Sequence, residues 1–161
     1  MTDKGWPSNW DERISGEDCS MCRPDRPAED DYGILIHRGR YVDASLQRAD
    51  VQRGYALVIW RGRHVVEPVD LSDDEAAGYW LEVLEVARAL IKFYGPLKMN
   101  YQTLGNSTPH LHTHLVPRFK VDPAPGAPFP LPVTDGSEPQ VPEVQLRADA
   151  EALREILGNT V

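Results

Sequence analysis

Two rhythms of apolar residues run along this chain, and each predicts a different kind of element. From Tyr32 to His37, Y-G-I-L-I-H, branched and aromatic side chains dominate a short run, which predicts a strand that Tyr41 and Val42 continue after a turn at Arg38 to Arg40. Gly54 to Trp60, G-Y-A-L-V-I-W, is the clearest core strand. The stretch between them, D-A-S-L-Q-R-A-D-V-Q-R, reads as a polar connection with Asp43 as a turn residue. At Ser72 the rhythm changes. S-D-D-E fits a capping box, and apolar residues from Ala76 through Tyr79, Val83, Ala87, Leu90 and Tyr94 keep the three-and-four spacing of a helix, which Gly95-Pro96 stops. Leu97 to Thr103 reads as another strand and Leu104 to Thr108 as a tight loop. Then P-H-L-H-T-H-L-V-P-R, Pro109 to Arg118, alternates with the period of two that places unlike residues on the two faces of a strand.

The two ends differ from this middle. Residues 1 to 30 are polar and broken by Pro7, Gly16, Pro24 and Pro27, which predicts irregular structure wrapped on the domain with Trp6 and Trp10 as anchors into the core. Residues 121–142 are too rich in proline for a sheet or helix interior and read as an extended surface segment. Glu143 to Leu157 regains helical spacing, ended by Gly158. The expected fold class is α+β: one domain with an antiparallel sheet, the 72–94 helix packed on it, a core over about 19–120 and a short C-terminal helix.

Composition narrows the function. With 161 residues and 41% hydrophobic content, the chain can bury one real core. Its net charge of −8 argues against a polynucleotide or membrane-surface binder, since either needs a broad basic footprint. Between His37 and His64, however, six arginines stand against two aspartates, a segment able to attract a small polyanion. No apolar run reaches membrane-spanning length, and M-T-D-K-G-W-P lacks the core of a signal peptide, so a cytoplasmic protein is expected.

The candidate chemistry lies in three of the five histidines. His110, His112 and His114 fall on one strand face about 6.5–7 Å apart in sequence steps of two, too spread for all three to hold one metal ion. Imidazole, with a pKa near 6.5, suits nucleophilic or acid–base work at neutral pH. A His-x-His metal site remains the alternative. Cys19 and Cys22 form C-x-x-C, which as half of a zinc site needs two more ligands; His64 and His110 are the candidates, with plain reduced thiols as the other possibility. Gly105, just before the histidines, permits a sharp turn that can aim backbone amides at a phosphate.

The run H-L-H-T-H-L-V resembles the motif of the histidine triad family of nucleotide hydrolases and transferases, with Thr113 departing from its usual hydrophobic position. With the C-x-x-C pair the resemblance is to the zinc-bearing branch and spans about Cys19 to Lys120. It implies a structural zinc on Cys19, Cys22, His64 and His110, and no organic cofactor. It also implies a small-molecule nucleotide substrate attacked at its α-phosphorus by His112, with His114 and Ser107 stabilising the phosphoryl oxygens. Asn100 and Asn106 match amide residues that contact phosphate or leaving group in relatives, and Asp43 falls near an acidic residue they keep for the ribose. Such subunits commonly form homodimers. Two other readings stay open: a zinc-stabilised nucleotide-binding or scaffolding protein, and a metal-dependent enzyme built on His110 and His112.

Overall fold

The computed structural model describes residues 5–132 and 137–158, so the four residues 133–136 of the proline-rich segment lie outside the described residues. The apolar runs become strands β1 (Gly33–Arg38), β3 (Ala56–Trp60), β4 (Lys98–Thr103) and β5 (His112–Arg118). A fifth strand, β2 (Val42–Gln47), occupies what reads in sequence as a polar connection. Its alternation explains why: Val42, Ala44 and Leu46 enter the core, while Asp43, Ser45 and Gln47 take the other face. Asp43 is therefore a buried strand residue and not a turn former. All pairings are antiparallel, in the order β1-β2-β3-β5-β4, so the histidine strand lies between two neighbours.

Helix α1 (Trp10–Ser15) replaces the irregular structure expected near the N-terminus. It buries none of its residues, and Trp6 is 65% exposed, packing against Trp10 at 4.7 Å between ring centroids. The tryptophans hold each other and do not anchor the arm in the core. What fixes the arm is polar and local: Arg13 donates to the carbonyl of Ser107 at 2.6 Å, and Gly16 sits so close to the His64 ring that a Cβ would lie 2.5 Å from its Cγ. Gly16 also adopts φ +81°, a second reason for glycine there.

Helix α2 (Asp73–Tyr94) forms as its sequence dictates. Ser72 accepts from the amide of Glu75, whose carboxylate accepts from the amide of Ser72, and Gly95 closes the other end in the left-handed conformation. Its Tyr79, Val83, Val86 and Leu90 pack on the sheet face carrying Ile34, Ala44, Val58 and Leu115. Helix α3 (Glu143–Leu157) joins the same layer; Tyr94 donates to Asp149 at 2.8 Å, and Arg154 reaches the carbonyl of Leu35. Thr113, the departure from the triad pattern, earns its place here. It points at the helices, and its hydroxyl links the buried Tyr79 (2.7 Å) and the half-buried Thr103 (2.8 Å), so the three hydroxyls satisfy one another where a hydrophobic residue would leave two without this partner.

The opposite sheet face carries His112, His114, Val116 and Arg118. The chain after β5 folds back over part of it: Phe129, Tyr55 and Val116 make a second small cluster, with Leu131 and Val51 at its rim. Arg118 fastens this strap. It bonds Asp122 twice at 2.6 Å, donates to the carbonyls of Ala124 and Ala127, and lies over the Phe129 ring. No described helix is long and apolar enough to cross a membrane.

Candidate active site and metal centre

The residues just before β5 are held by β3 and by the turn after it. Trp60 donates to the carbonyl of Leu111, and Leu111 to that of Val65. This pairing brings His110, fully buried, against the carbonyl of Trp60, which accepts from its Nε2 at 2.9 Å. The proton is thereby placed on Nε2, and the Nδ1 lone pair faces the thiols: Cys22 Sγ at 3.4 Å and Cys19 Sγ at 3.5 Å. His64 Nδ1 lies 3.2 Å from Cys22 Sγ. All four donor atoms fall within 4.8 Å of one another. A tetrahedral ion with Zn–S near 2.3 Å and Zn–N near 2.05 Å would set sulfur and nitrogen about 3.5 Å apart, so both the donor set and its spacing fit zinc. Burial and the neighbouring Cys19 thiol push the Cys22 thiol up to about 11, and a cation held between the two sulfurs would favour the thiolate instead.

His112 is not part of that cluster. Its ring turns the other way, and Nδ1 donates to the carbonyl of His110 at 2.5 Å. Nε2 is left with the lone pair. Burial holds its pKa below the usual imidazole value, so the ring is neutral at pH 7. His114 follows two residues on, its ring centroid 4.9 Å from that of His112, and burial and then His112 push its pKa down to about 4. The site thus has two neutral imidazoles side by side on one face. The metal-type cluster stands at the N-terminal end of the same run.

The remaining candidates separate. Ser107 and Asn106 lie exposed in the loop after β4, and Arg13 ties down the Ser107 carbonyl. Asn100 stands opposite Val116 in the register, and its side-chain oxygen accepts from Arg118, so it helps hold the strap. Gln102 is the β4 residue opposite His114; it donates to the carbonyl of Phe129 at 3.4 Å. Sequence reasoning missed Gln102, and it missed Tyr55, whose hydroxyl meets His114 Nδ1 at 2.7 Å. Only strand register brings these residues to the histidines.

Asp43, buried between Arg26 (3.6 Å) and Arg61 (3.7 Å), has its carboxyl pushed up by burial in spite of both arginines. Most of the arginine excess in this segment is used in such structural contacts: Arg38 on the carbonyl of Arg26, Arg48 on Glu29 and Glu143, and Arg63 on Glu75. Arg23, Arg40 and Arg61 line a cavity of about 680 Å³ beside Cys22 and Trp60.

Comparison with known proteins agrees with this geometry. The family model for the HIT domain matches residues 31–121. The chain is 28% identical over 108 residues to Protein hit of Bacillus subtilis, covering 64% of this chain and 72% of that protein. A histidine triad protein from Sinorhizobium meliloti superposes with a TM-score of 0.67 at 26% identity, over 85% of this chain and 98% of that one. A zinc-bound histidine triad family protein from Mycobacterium smegmatis shares the fold at a TM-score of 0.55 and 20% identity, over 92% of this chain and 91% of that one. The sheet, the paired imidazoles and the matched segment lead to one conclusion: this chain belongs to the HIT, or histidine triad, family.

Proposed function

We propose that the protein is a nucleotide hydrolase or nucleotidyltransferase that works through a covalent nucleotide on His112. Its substrate is a nucleotide conjugate or a dinucleoside polyphosphate. The observation that carries this reading is the tautomer of His112. Because the His110 carbonyl takes the Nδ1 proton, the nucleophilic lone pair is confined to Nε2, and burial keeps it unprotonated at neutral pH. His112 Nε2 attacks the α-phosphorus as the bond to the leaving group breaks, and the leaving group departs with its electron pair. His114 and Ser107 stabilise the phosphoryl oxygens that gain charge. Water or another acceptor then attacks phosphorus and releases its proton to solvent, the P–N bond breaks, and His112 regains its lone pair.

Cys19, Cys22, His64 and His110 would hold zinc, whose role here is to tie the N-terminal arm to the start of the histidine strand. The donor spacing supports it, as does the zinc-bound relative. A homodimer is the assembly we expect; exposed Leu81 on α2 and exposed Leu97 and Tyr101 by the β4 edge offer apolar surface for it. The test is release of mononucleotide from a panel of nucleotide phosphoramidates and dinucleoside polyphosphates. Turnover of at least one class is expected, lost in His112→Ala. Tight binding of the panel without release would reduce the protein to a nucleotide-binding one.

A further inference from the structure

Tyr55 lies just before β3, 59 residues away from His114 in sequence. The two side chains nevertheless meet at 2.7 Å with their rings parallel to within 2°. Either group could in principle donate, and the surroundings decide which does. Tyr55 is 8% exposed, and its hydroxyl meets His114 Nδ1. If His114 donated from Nδ1, the tyrosine proton would have no other acceptor among the described residues, at a cost comparable to a lost hydrogen bond. If the hydroxyl donates, both atoms are satisfied and the His114 proton sits on Nε2.

This matters because the two active-site histidines must do different things. His112 needs a lone pair on Nε2, and its backbone bond supplies that. His114, as a stabiliser of phosphoryl oxygens, needs a proton on Nε2, and among the described residues no backbone carbonyl enforces it. We propose that Tyr55 is the positioning residue that fixes His114 with its proton on Nε2, and that the proline-rich strap holds Tyr55 in place through Phe129. The role assigned to His114 rests on the function proposed above.

The strap is built for such a task. Phe129 packs on Tyr55 and Val116 in a cluster separate from the main core. Its backbone carbonyl accepts from Gln102, which stands opposite His114, and its ring lies under Arg118 at 5.4 Å. Arg118 in turn holds Asp122 and the carbonyls of Ala124 and Ala127. A segment that reads in sequence as an extended surface segment thus packs on Tyr55, the residue that meets the second histidine. Burial pushes the Tyr55 phenol up to about 12, so it stays a neutral donor at any pH the enzyme meets.

The experiment is long-range ¹⁵N–¹H NMR of the histidine rings in the wild-type protein, in Tyr55→Phe and in Phe129→Ala, with kcat and KM for the same three proteins. Wild-type His114 should show a protonated Nε2 and an unprotonated Nδ1. Tyr55→Phe should give a mixture of tautomers and lower kcat by about tenfold with KM within about twofold, and Phe129→Ala should shift both readings the same way by less. A wild-type His114 protonated at Nδ1 would overturn the proposal, as would a Tyr55→Phe protein with unchanged tautomer and kcat. Should the wild-type protein turn over no nucleotide, the function proposed above fails, and the NMR comparison alone decides whether Tyr55 sets the tautomer.

Discussion

His110 and His112 are two residues apart, and the backbone treats them in opposite ways. For His110 the carbonyl of Trp60 takes Nε2 and leaves Nδ1 facing two cysteines; for His112 the carbonyl of His110 takes Nδ1 and leaves Nε2. One residue type on one short run thus presents a metal-type donor atom at one position and, at the other, the lone pair that the proposed chemistry needs. The difference lies in which nitrogen a neighbouring carbonyl satisfies, and that is set by the turn between β3 and α2 and by the start of β5. Histidines in a motif are therefore not interchangeable, and substitutions should separate them.

The largest expected effect is at His112. His112→Ala should lower turnover by at least about a thousandfold, as loss of a nucleophile does, while the thermal midpoint stays within a few degrees; activity assay and thermal melting check both. At His110 the pattern should reverse. His110→Ala or Cys19→Ser should lose zinc by elemental analysis and lower the melting temperature by about 10 °C, the scale of a few kcal/mol for a chain of this size. If both variants kept their metal content and stability, the division between the two histidines would fail.

Between these extremes lies Thr113, which shares the strand but faces the helices. Thr113→Val should cost about 1–3 kcal/mol in urea unfolding, because Tyr79 and Thr103 lose their common partner, with kcat little changed. An effect of similar size, without any substitution, is a pH dependence at His114. Burial, then His112, holds its folded pKa near 4, whereas the unfolded chain protonates it below about 6.5. The unfolded state therefore gains the proton first, and the stability present above pH 6.5 should be lost progressively as pH falls toward 4. Urea unfolding at pH 7.5 and 5.0 should show this loss, and His114→Gln should reduce it.

The strands with branched and aromatic runs, the capped helix α2 and the C-terminal helix could be read from sequence because each carries its own local signal. Strand β2 could not. Half of its residues are polar because they face the site side of the sheet, and Ala44 gives its core face little apolar weight. Helix α1, six residues without a buried side chain, has no hydrophobic stripe to read; Arg13 and the close fit of Gly16 on His64 hold it, and both are tertiary contacts. The four clustered cysteine and histidine side chains were legible as donors of the right number and type, and the resemblance to the zinc-bearing branch grouped them. Tyr55 was not, since its partner lies 59 residues away and only the pairing of β3 with β5 joins them. Asn100 and Gln102 show the same limit: residue type points to the asparagine although its interval to the triad is one residue short, and the register sets the glutamine opposite His114 and gives the asparagine to Arg118.

The most direct measurement is acid-quenched mass spectrometry of the protein mixed with excess nucleotide conjugate, followed by peptide mapping. The expected result is a mass increase of one nucleotidyl group, localised to His112 and missing from the His112→Ala protein. Rapid turnover with no adduct at any quench time, or an adduct on another residue, would contradict the assignment of His112 as nucleophile.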